Sequence, residues 1–388
     1  MSLFTRGLAL PDAGQQVAER TGMRTGGRRV DDDTARRHSA VWACRRLRAD
    51  LLSTMPVDAY RRVGDYQVEV TKPPVLLAPG GARVEMHEWL WMSQDDLDGH
   101  GNAVGIITAV DGLGLPARIE LQDLSGVSVR GVGSEITEWK IGGKKYEPHQ
   151  IWHEKQYPRS GNPLGMSPLM FSAWTISQYL SAQEFSLDWF QGGAIPAASL
   201  KNTAKTLNST QSAAIKQQYK ATVAAGDVFV HGADWELKPL SATTADAAFL
   251  EMMKYSVTDI ARFFGCPSDL IEGAVSGQSV TYANISERNL QLLIMNLGPV
   301  VTRRELALSR LLPKPRFVKL NADAILRMDP ETRAKVLGQQ VKDRLIAPSE
   351  ARAIENRQPF TDEQYAEFDR LFGAPRVQPT TTASGVTS

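Results

Sequence analysis

The chain has 388 residues, 42% of them apolar and 22% charged, with a formal net charge of +1. That length exceeds what one hydrophobic core usually supports, so two or three packed regions are expected, and the composition excludes a disordered chain. The near-zero charge argues against a protein that grips duplex DNA through many phosphates, because counterion release rewards a basic excess.

Residues 1–38 mix Gly, Asp and Arg without an apolar period and read as a mobile arm, with too short an apolar patch for a secretory signal. Helical spacing of Cys44, Leu47, Leu51 and Met55 predicts a helix from Ser39 that Pro56 ends. "VDAYRRVGDYQVEV" predicts two strands about a Gly-Asp turn, and Glu85 to Trp91 a short helix. Between Gly101 and Glu154, short alternating runs divided by glycine turns predict a small β-region. A helix follows over Ser167 to Gln191, capped by Ser167 with Pro168 in its first turn. Asn208 or Ser209, with Gln211, predicts a capping box for the next helix, which carries Ile215, Tyr219 and Val223 on one face.

"DVFVHGADWELKPL" then predicts a β-hairpin around His231-Gly232. Thr244 caps a further helix with Leu250, Met253, Val257, Ile260, Ala261 and Phe264 on one face. Gly265 stops it and Pro267 prevents continuation. A loop of small and polar residues leads into a long helix from about Thr281 to Leu312, in which Pro299 predicts a kink. The most apolar long stretch, Leu290 to Val301, is interrupted by Gln291, Asn296, Gly298 and Pro299. It falls short of the ~20 residues of a membrane span, so no membrane association is expected. Asp329-Pro330, Pro348-Ser349-Glu350 and Thr361-Asp362-Glu363 each start a helix, and the end of the chain reads as a disordered tail.

No catalytic constellation emerges. His87-Glu88 and His153-Glu154 begin like HExxH but lack the second histidine. "GMSPL" lacks the last glycine of a nucleophile elbow, and its Ser167 suits a cap better. "DDLDGHG" at Asp95 to Gly101 resembles a calcium loop but has Ile107 where the distal Glu would stand, so it reads as a polar turn. "GGKK" at Gly142 to Lys145 is a turn between strands, not a phosphate cradle. The run Asp31 to Asp33 reads as a solvated charge run in the arm. Cys44 and Cys266 are the only cysteines. Far apart and without a CxxC, they exclude a disulfide scaffold or zinc finger and suit a reducing compartment. Neither metal nor cofactor is expected. Lys201, Lys205, Lys216 and Lys220 form either a solvated face or a surface toward a polyanion.

The segments "SAVWACRRLRADLLSTMPVDAYRR", "GNAVGIITAV", "GMSPL", "QGGAIPAASL", "FLEMMKYSVTDIARFFGCPSDLI", "SVTYANISERNLQLLIMNLGPVVTRRELALSRLL" and "LRMDPETRAKVLGQQVKDRLIAPSEAR" occur in one order over about residues 39 to 375. In that order the sequence resembles the portal proteins of long-tailed, siphovirus-type bacteriophages. The resemblance implies an α+β portal fold with a mixed α/β wing, a two-helix stem, a small β-containing clip, a long kinked helix and a helical crown. On this sequence the parts are the arm at 1–38, the wing at 39–202, stem helices at 203–225 and 245–265, and the clip at 226–244. The tunnel loop is 266–280, the long kinked wing helix and return strand 281–328, the crown 329–375 and the tail 376–388.

The implied function is a ring, typically of twelve subunits, at one capsid vertex of the virion, assembled in the host cytoplasm. It conducts double-stranded DNA without sequence specificity during packaging and ejection. Implied partners are the terminase large subunit, the head–tail adaptor, and the major capsid and scaffolding proteins. The expected channel residues are Glu272, Gly273, Ala274, Val275, Ser276, Gly277, Gln278 and Ser279, with Lys216 and Lys220 as DNA-facing stem positions. Phe229, His231, Trp235 and Lys238 are the expected clip docking surface. A loop this poor in charge suits a duplex that must slide, and its glycines allow changes of backbone shape. No catalysis is expected of the chain itself. The competing reading is a metal-dependent nucleic-acid-processing phage enzyme, motivated by Asp95, Asp96, Asp98 and the arm aspartates.

Overall fold

The computed structural model describes residues 8–9, 30–133, 135–191, 198–224, 230, 233–239, 243–271, 291–322, 330–355 and 357–372. The chain divides into two units, residues 1–325 and 326–388. In the first unit, β1 (Leu8–Ala9) precedes a helical turn at Asp32–Ala35 and α1 (Ser39–Ser53). Next come β2 (Val57–Val63), β3 (Tyr66–Glu69), a helical turn at Pro74–Leu77 and α2 (Met86–His100). Six strands follow: β4 (Asn102–Val110), β5 (Pro116–Leu121), β6 (Val127–Val132), β7 (Glu135–Ile141), β8 (Lys144–Tyr146) and β9 (Ile151–Lys155). Then come α3 (Pro168–Gln191), β10 (Ala198–Asn202), α4 (Ser209–Ala224), β11 (Trp235–Pro239), α5 (Thr243–Phe264), α6 (Gly298–Ser309) and β12 (Arg316–Leu320).

The strands form small antiparallel sheets ordered β12-β2-β3, β5-β4-β9, β1-β6-β7-β8 and β10-β11. The pairing of β12 with β2 is long-range: Leu320 lies opposite Val57 and Arg316 opposite Arg61. It brings the end of α6 beside α1, and Leu308, Leu311, Leu312, Val318 and Leu320 join Leu52, Met55, Trp89, Leu90 and Leu97 in one core. A second core gathers Ala35, Val41 and Cys44 with Ile176 and Tyr179 of α3, Ile260 and Phe264 of α5, and Cys266.

Ser167 and Asn208 cap α3 and α4 as expected, whereas Thr244 is no cap: α5 already begins at Thr243, which puts Thr244 inside the helix. Asn208 Oδ1 accepts from Gln211 N at 2.8 Å, while Asn208 N donates to Gln211 Oε1 at 3.4 Å, the reciprocal pair of a capping box. Ser167 Oγ accepts from Met170 N at 3.2 Å, so this serine is a cap. Gly265 ends α5 at φ +64°, where a side chain would be strained.

Two more expectations need correction, and two further segments gain detail. The sequence Asp95 to Gly101 is not a polar turn but the last turns of α2, closed by Gly101 at φ +77°. Its polar residues misled because Asp95 and Asp98 face inward to buried arginines. Asp31 to His38 fold against the body: Asp31 caps the short turn, and Ala35 and His38 are fully buried. β11 pairs with β10, Trp235 opposite Asn202 and Pro239 opposite Ala198, while the first arm of the expected hairpin lies outside the described residues. The irregularity expected at Pro299 falls just before it. Leu292–Leu297 widen into a π-helical stretch, and Pro299 stands in the first turn of α6. A proline has no N–H to give and its ring crowds the carbonyl four residues back, so a wider turn relieves both problems.

The second unit holds α7 (Pro330–Lys342), α8 (Pro348–Ile354) and α9 (Asp362–Phe372). Arg333 Nη2 donates to Ile354 O at 2.9 Å, tying α7 to the end of α8. Phe360 lies edge-on to Tyr365 and Phe368, and Arg352 covers its ring at 3.8 Å.

Candidate functional site

The segment 266–280 is described as far as Ile271, and the chain is described again from Gln291. Glu272, Gly273, Ala274, Val275, Ser276, Gly277, Gln278 and Ser279 lie outside the described residues. What the structure places is the frame on either side. Before the segment, Arg48 Nη1 donates to Phe264 O at 2.8 Å and Arg48 Nε to Asp98 Oδ2 at 2.9 Å, so α1 and α2 together hold the end of α5. After it, α6 is held by its arginine pair. Arg304 Nη1 lies 2.9 Å from Glu154 Oε2 of β9 and donates to Ser93 Oγ of α2 at 2.8 Å. Arg303 Nη2 donates to Gln156 Oε1 at 3.2 Å.

The ion network continues toward the start of the described chain. Arg45 Nε donates to Asp95 Oδ1 at 2.7 Å, and its Nη1 also pairs with Asp32. Arg36 Nη2 reaches Asp95 Oδ2 at 2.6 Å. Burial alone would lower the pKa of Arg48, but the charge and hydrogen bond of Asp98 outweigh it and hold the value up. Among the described residues Arg303 and Arg304 form ion pairs only with Glu154, and burial outweighs that attraction and lowers both. Charge is therefore matched one to one at the end of α5 and left uneven at α6.

These pairs also bear on metal chemistry. Asp95 and Asp98 are each taken by a guanidinium, His153 Nε2 contacts Asn102 Oδ1 at 3.0 Å, and Glu154 faces Arg304. Among the described residues no group of three His, Cys, Asp or Glu side chains converges as metal ligands, and no helix is long and apolar enough to cross a membrane.

Asp96 has a different fate. Burial and the neighbouring Asp95 push its carboxyl up to about 7. A carboxyl whose folded pKa exceeds its unfolded one counts against folding once ionised. The loss accumulates from about pH 4 to about pH 7 and is complete above. Asp96→Asn should therefore raise stability at pH 8 by about 1–2 kcal/mol, discounted for the partial exposure of this side chain, with the gain fading toward pH 4. Urea unfolding at the two pH values measures it. His38 acts in the opposite direction. Burial lowers it to about 4, so its contribution is lost as the pH falls from the usual histidine range toward 4. Its Nδ1 accepts from Ala40 N, which leaves Nε2 to donate to Ser256 Oγ at 2.8 Å.

A family model for the phage portal protein matches residues 39–356. The chain belongs to the phage portal protein family. The probable portal protein of Streptomyces phage phiC31 is 26% identical over 360 residues, spanning 87% of this chain and 78% of that one. The portal protein of Enterobacteria phage HK97 is 24% identical over 348 residues, spanning 85% and 81%. The fold is similar to an HK97 family phage portal protein from Corynebacterium diphtheriae, with a TM-score of 0.58 at 18% identity over 77% of this chain and 98% of that one. It is also similar to a chain in the neck of an empty gene transfer agent particle, with a TM-score of 0.58 at 18% identity over 89% and 98%.

Of the other positions expected to serve a portal, Lys216 and Lys220 are exposed on α4, four residues apart and so on one face. Trp235 is half-buried and shares with Leu200, Leu207, Ile215, Lys216 and Tyr219 a pocket of about 320 Å³ between α4 and the β10-β11 pair. Lys238 stands opposite Ser199 in that pair, and Phe229 and His231 lie outside the described residues. Sequence reasoning missed the buried network. A signal was present: Arg45 and Arg48 on α1 and Asp95 and Asp98 on α2 have the same three-residue spacing, which two packed helices can match pair to pair.

Proposed function

We propose that this portal protein assembles into a twelve-membered ring at a single capsid vertex and conducts double-stranded DNA during packaging and ejection. The family match over residues 39–356 carries the reading. A chain of similar fold occurs in the neck of a native gene transfer agent particle computed with C12 symmetry, which supports the ring and its place in the particle. Residues 39–202 serve as the wing, α4 and α5 as the stem, 226–244 as the clip, 266–280 as the tunnel loop, 281–328 as the long wing helix with its return strand, and 329–375 as the crown. ATP hydrolysis is left to a separate terminase, which docks on the clip before the head–tail adaptor does, and the ring itself catalyses nothing. Major capsid and scaffolding proteins surround it during assembly in the host cytoplasm.

The described frame supports this division of labour. A loop that touches moving DNA must change shape without disturbing the ring, and its flanks are held by buried ion pairs to α1, α2 and β9. Rings with a central hole and about twelve-fold symmetry are expected in end-on views by negative-stain electron microscopy. Monomers or small closed oligomers at every salt concentration would overturn the reading. Deleting Gly273 to Gln278 should leave the rings intact but abolish packaging or retention of DNA. Normal packaging by that variant would remove the loop from the channel.

A further inference from the structure

We propose that Cys44 and Cys266 are a modification site: in the presence of a peroxide they close an intrachain disulfide that ties α1 to the residue after the cap of α5. The inference goes beyond the portal reading and does not depend on it. These are the only two cysteines of the chain. They stand 222 residues apart in sequence, yet both are buried in the same core cluster. Cys266 Sγ donates to the carbonyl oxygen of Cys44 at 3.9 Å, so its sulfur already lies against the backbone of its partner. The backbone on both sides is held. Gly265 turns the chain at φ +64°, Cys266 N donates to Ala261 O at 2.8 Å, and Arg48, one turn after Cys44, donates to Phe264 O. Two cysteines can be bridged only where their backbones already stand close, and here helix packing imposes that.

The two sulfurs are not equivalent. Proximity of Cys44 and the charge of Arg48 lower the pKa of Cys266, while proximity of Cys266 and burial raise that of Cys44. Cys266 is also the more accessible, at 6% exposed against 0% for Cys44. Cys266 is therefore the sulfur that attacks. Its thiolate bonds to one peroxide oxygen, the O–O bond breaks, and the departing hydroxide takes up the thiol proton as water, leaving a sulfenic acid. The Cys44 sulfur then attacks that sulfur, the S–O bond breaks, and a second water leaves with the Cys44 proton. Two thiols and one peroxide give one disulfide and two waters. In a reducing compartment the pair stays open. Once closed, it fixes the root of segment 266–280 to α1.

Assembled full-length protein is treated with hydrogen peroxide, denatured in iodoacetamide without reductant, and weighed intact. Both alkylation sites should vanish together, leaving a chain two hydrogens lighter, and a reductant should restore them. Digestion should yield the linked Cys44 and Cys266 peptides. Cys44→Ala should stop at a sulfenic acid on Cys266 that dimedone captures, and Cys266→Ala should leave Cys44 unmodified. Two alkylated cysteines after treatment, chains cross-linked to one another, or separate over-oxidation of each sulfur would overturn the proposal. The mass of the unsubstituted protein decides the question even if either variant fails to fold.

Discussion

Replacing Arg304 by Ala is expected to destabilise the first unit by about 3–5 kcal/mol, the usual cost of removing one partner of a buried ion pair. Arg304 is fully buried, with Glu154 Oε2 at 2.9 Å, Ser93 Oγ at 2.8 Å and the Trp89 ring 5.9 Å below its guanidinium. Without it, the buried Glu154 keeps only Arg303 at 3.5 Å. Arg304→Lys should recover little, because a compact ammonium cannot span Ser93, Glu154 and the indole face together. Arg304→Met combined with Glu154→Gln should recover only part of the loss: it removes two poorly solvated charges but also takes the carboxylate from Arg303. Nε and Nη2 of Arg304 have no hydrogen-bond partner among the described residues, which favours that recovery. Denaturant unfolding of the three variants, followed by tryptophan fluorescence, measures the series. Equal losses in the single Ala and the double variant would show that packing, not charge, holds α6.

Trp89→Ala is expected to cost about 3–5 kcal/mol by opening a cavity at the centre of the core. The indole is fully buried, tilted against Trp152 at a ring separation of 4.7 Å, and donates from Nε1 to Ile119 O at 3.2 Å. Trp89→Phe keeps much of the volume but orphans that carbonyl, so a loss of about 1–2 kcal/mol is expected. Because Trp89 also lies under Arg304, the two Ala substitutions should not add. A double-mutant cycle should show coupling of roughly 0.5–2 kcal/mol. Strict additivity would mean that the cation–π contact contributes nothing.

Much of the fold could be read locally. The start of α4 is written in Asn208 and Gln211, its neighbours in the chain, and the stop of α5 in Gly265. Such signals work because a cap bonds to backbone within three or four residues of itself. The sites expected from family resemblance were less legible. Two of the four expected clip residues and all eight expected loop residues fall outside the described chain, while the described frame around them consists of residues that no motif singled out. Arg48 and Arg304 carry no local feature that sets them apart from the other arginines of the chain. Nothing within a few residues of either announces a carboxylate 50 or 150 positions away.

The sequence by itself determined many of the helices and strands, the absence of catalytic motifs and, through the order of its segments, the portal family. Those properties depend on periodicity, capping and segment order, which are encoded along the chain. Only the tertiary structure decided that Asp95 to Gly101 continues a helix, that Asp32 and His38 belong to the body, and that Cys44 meets Cys266. In each case a polar or reactive group is buried beside a partner far away in sequence. Desolvating such a group is tolerated only when the fold supplies that partner, and no local pattern specifies where the fold will bring it.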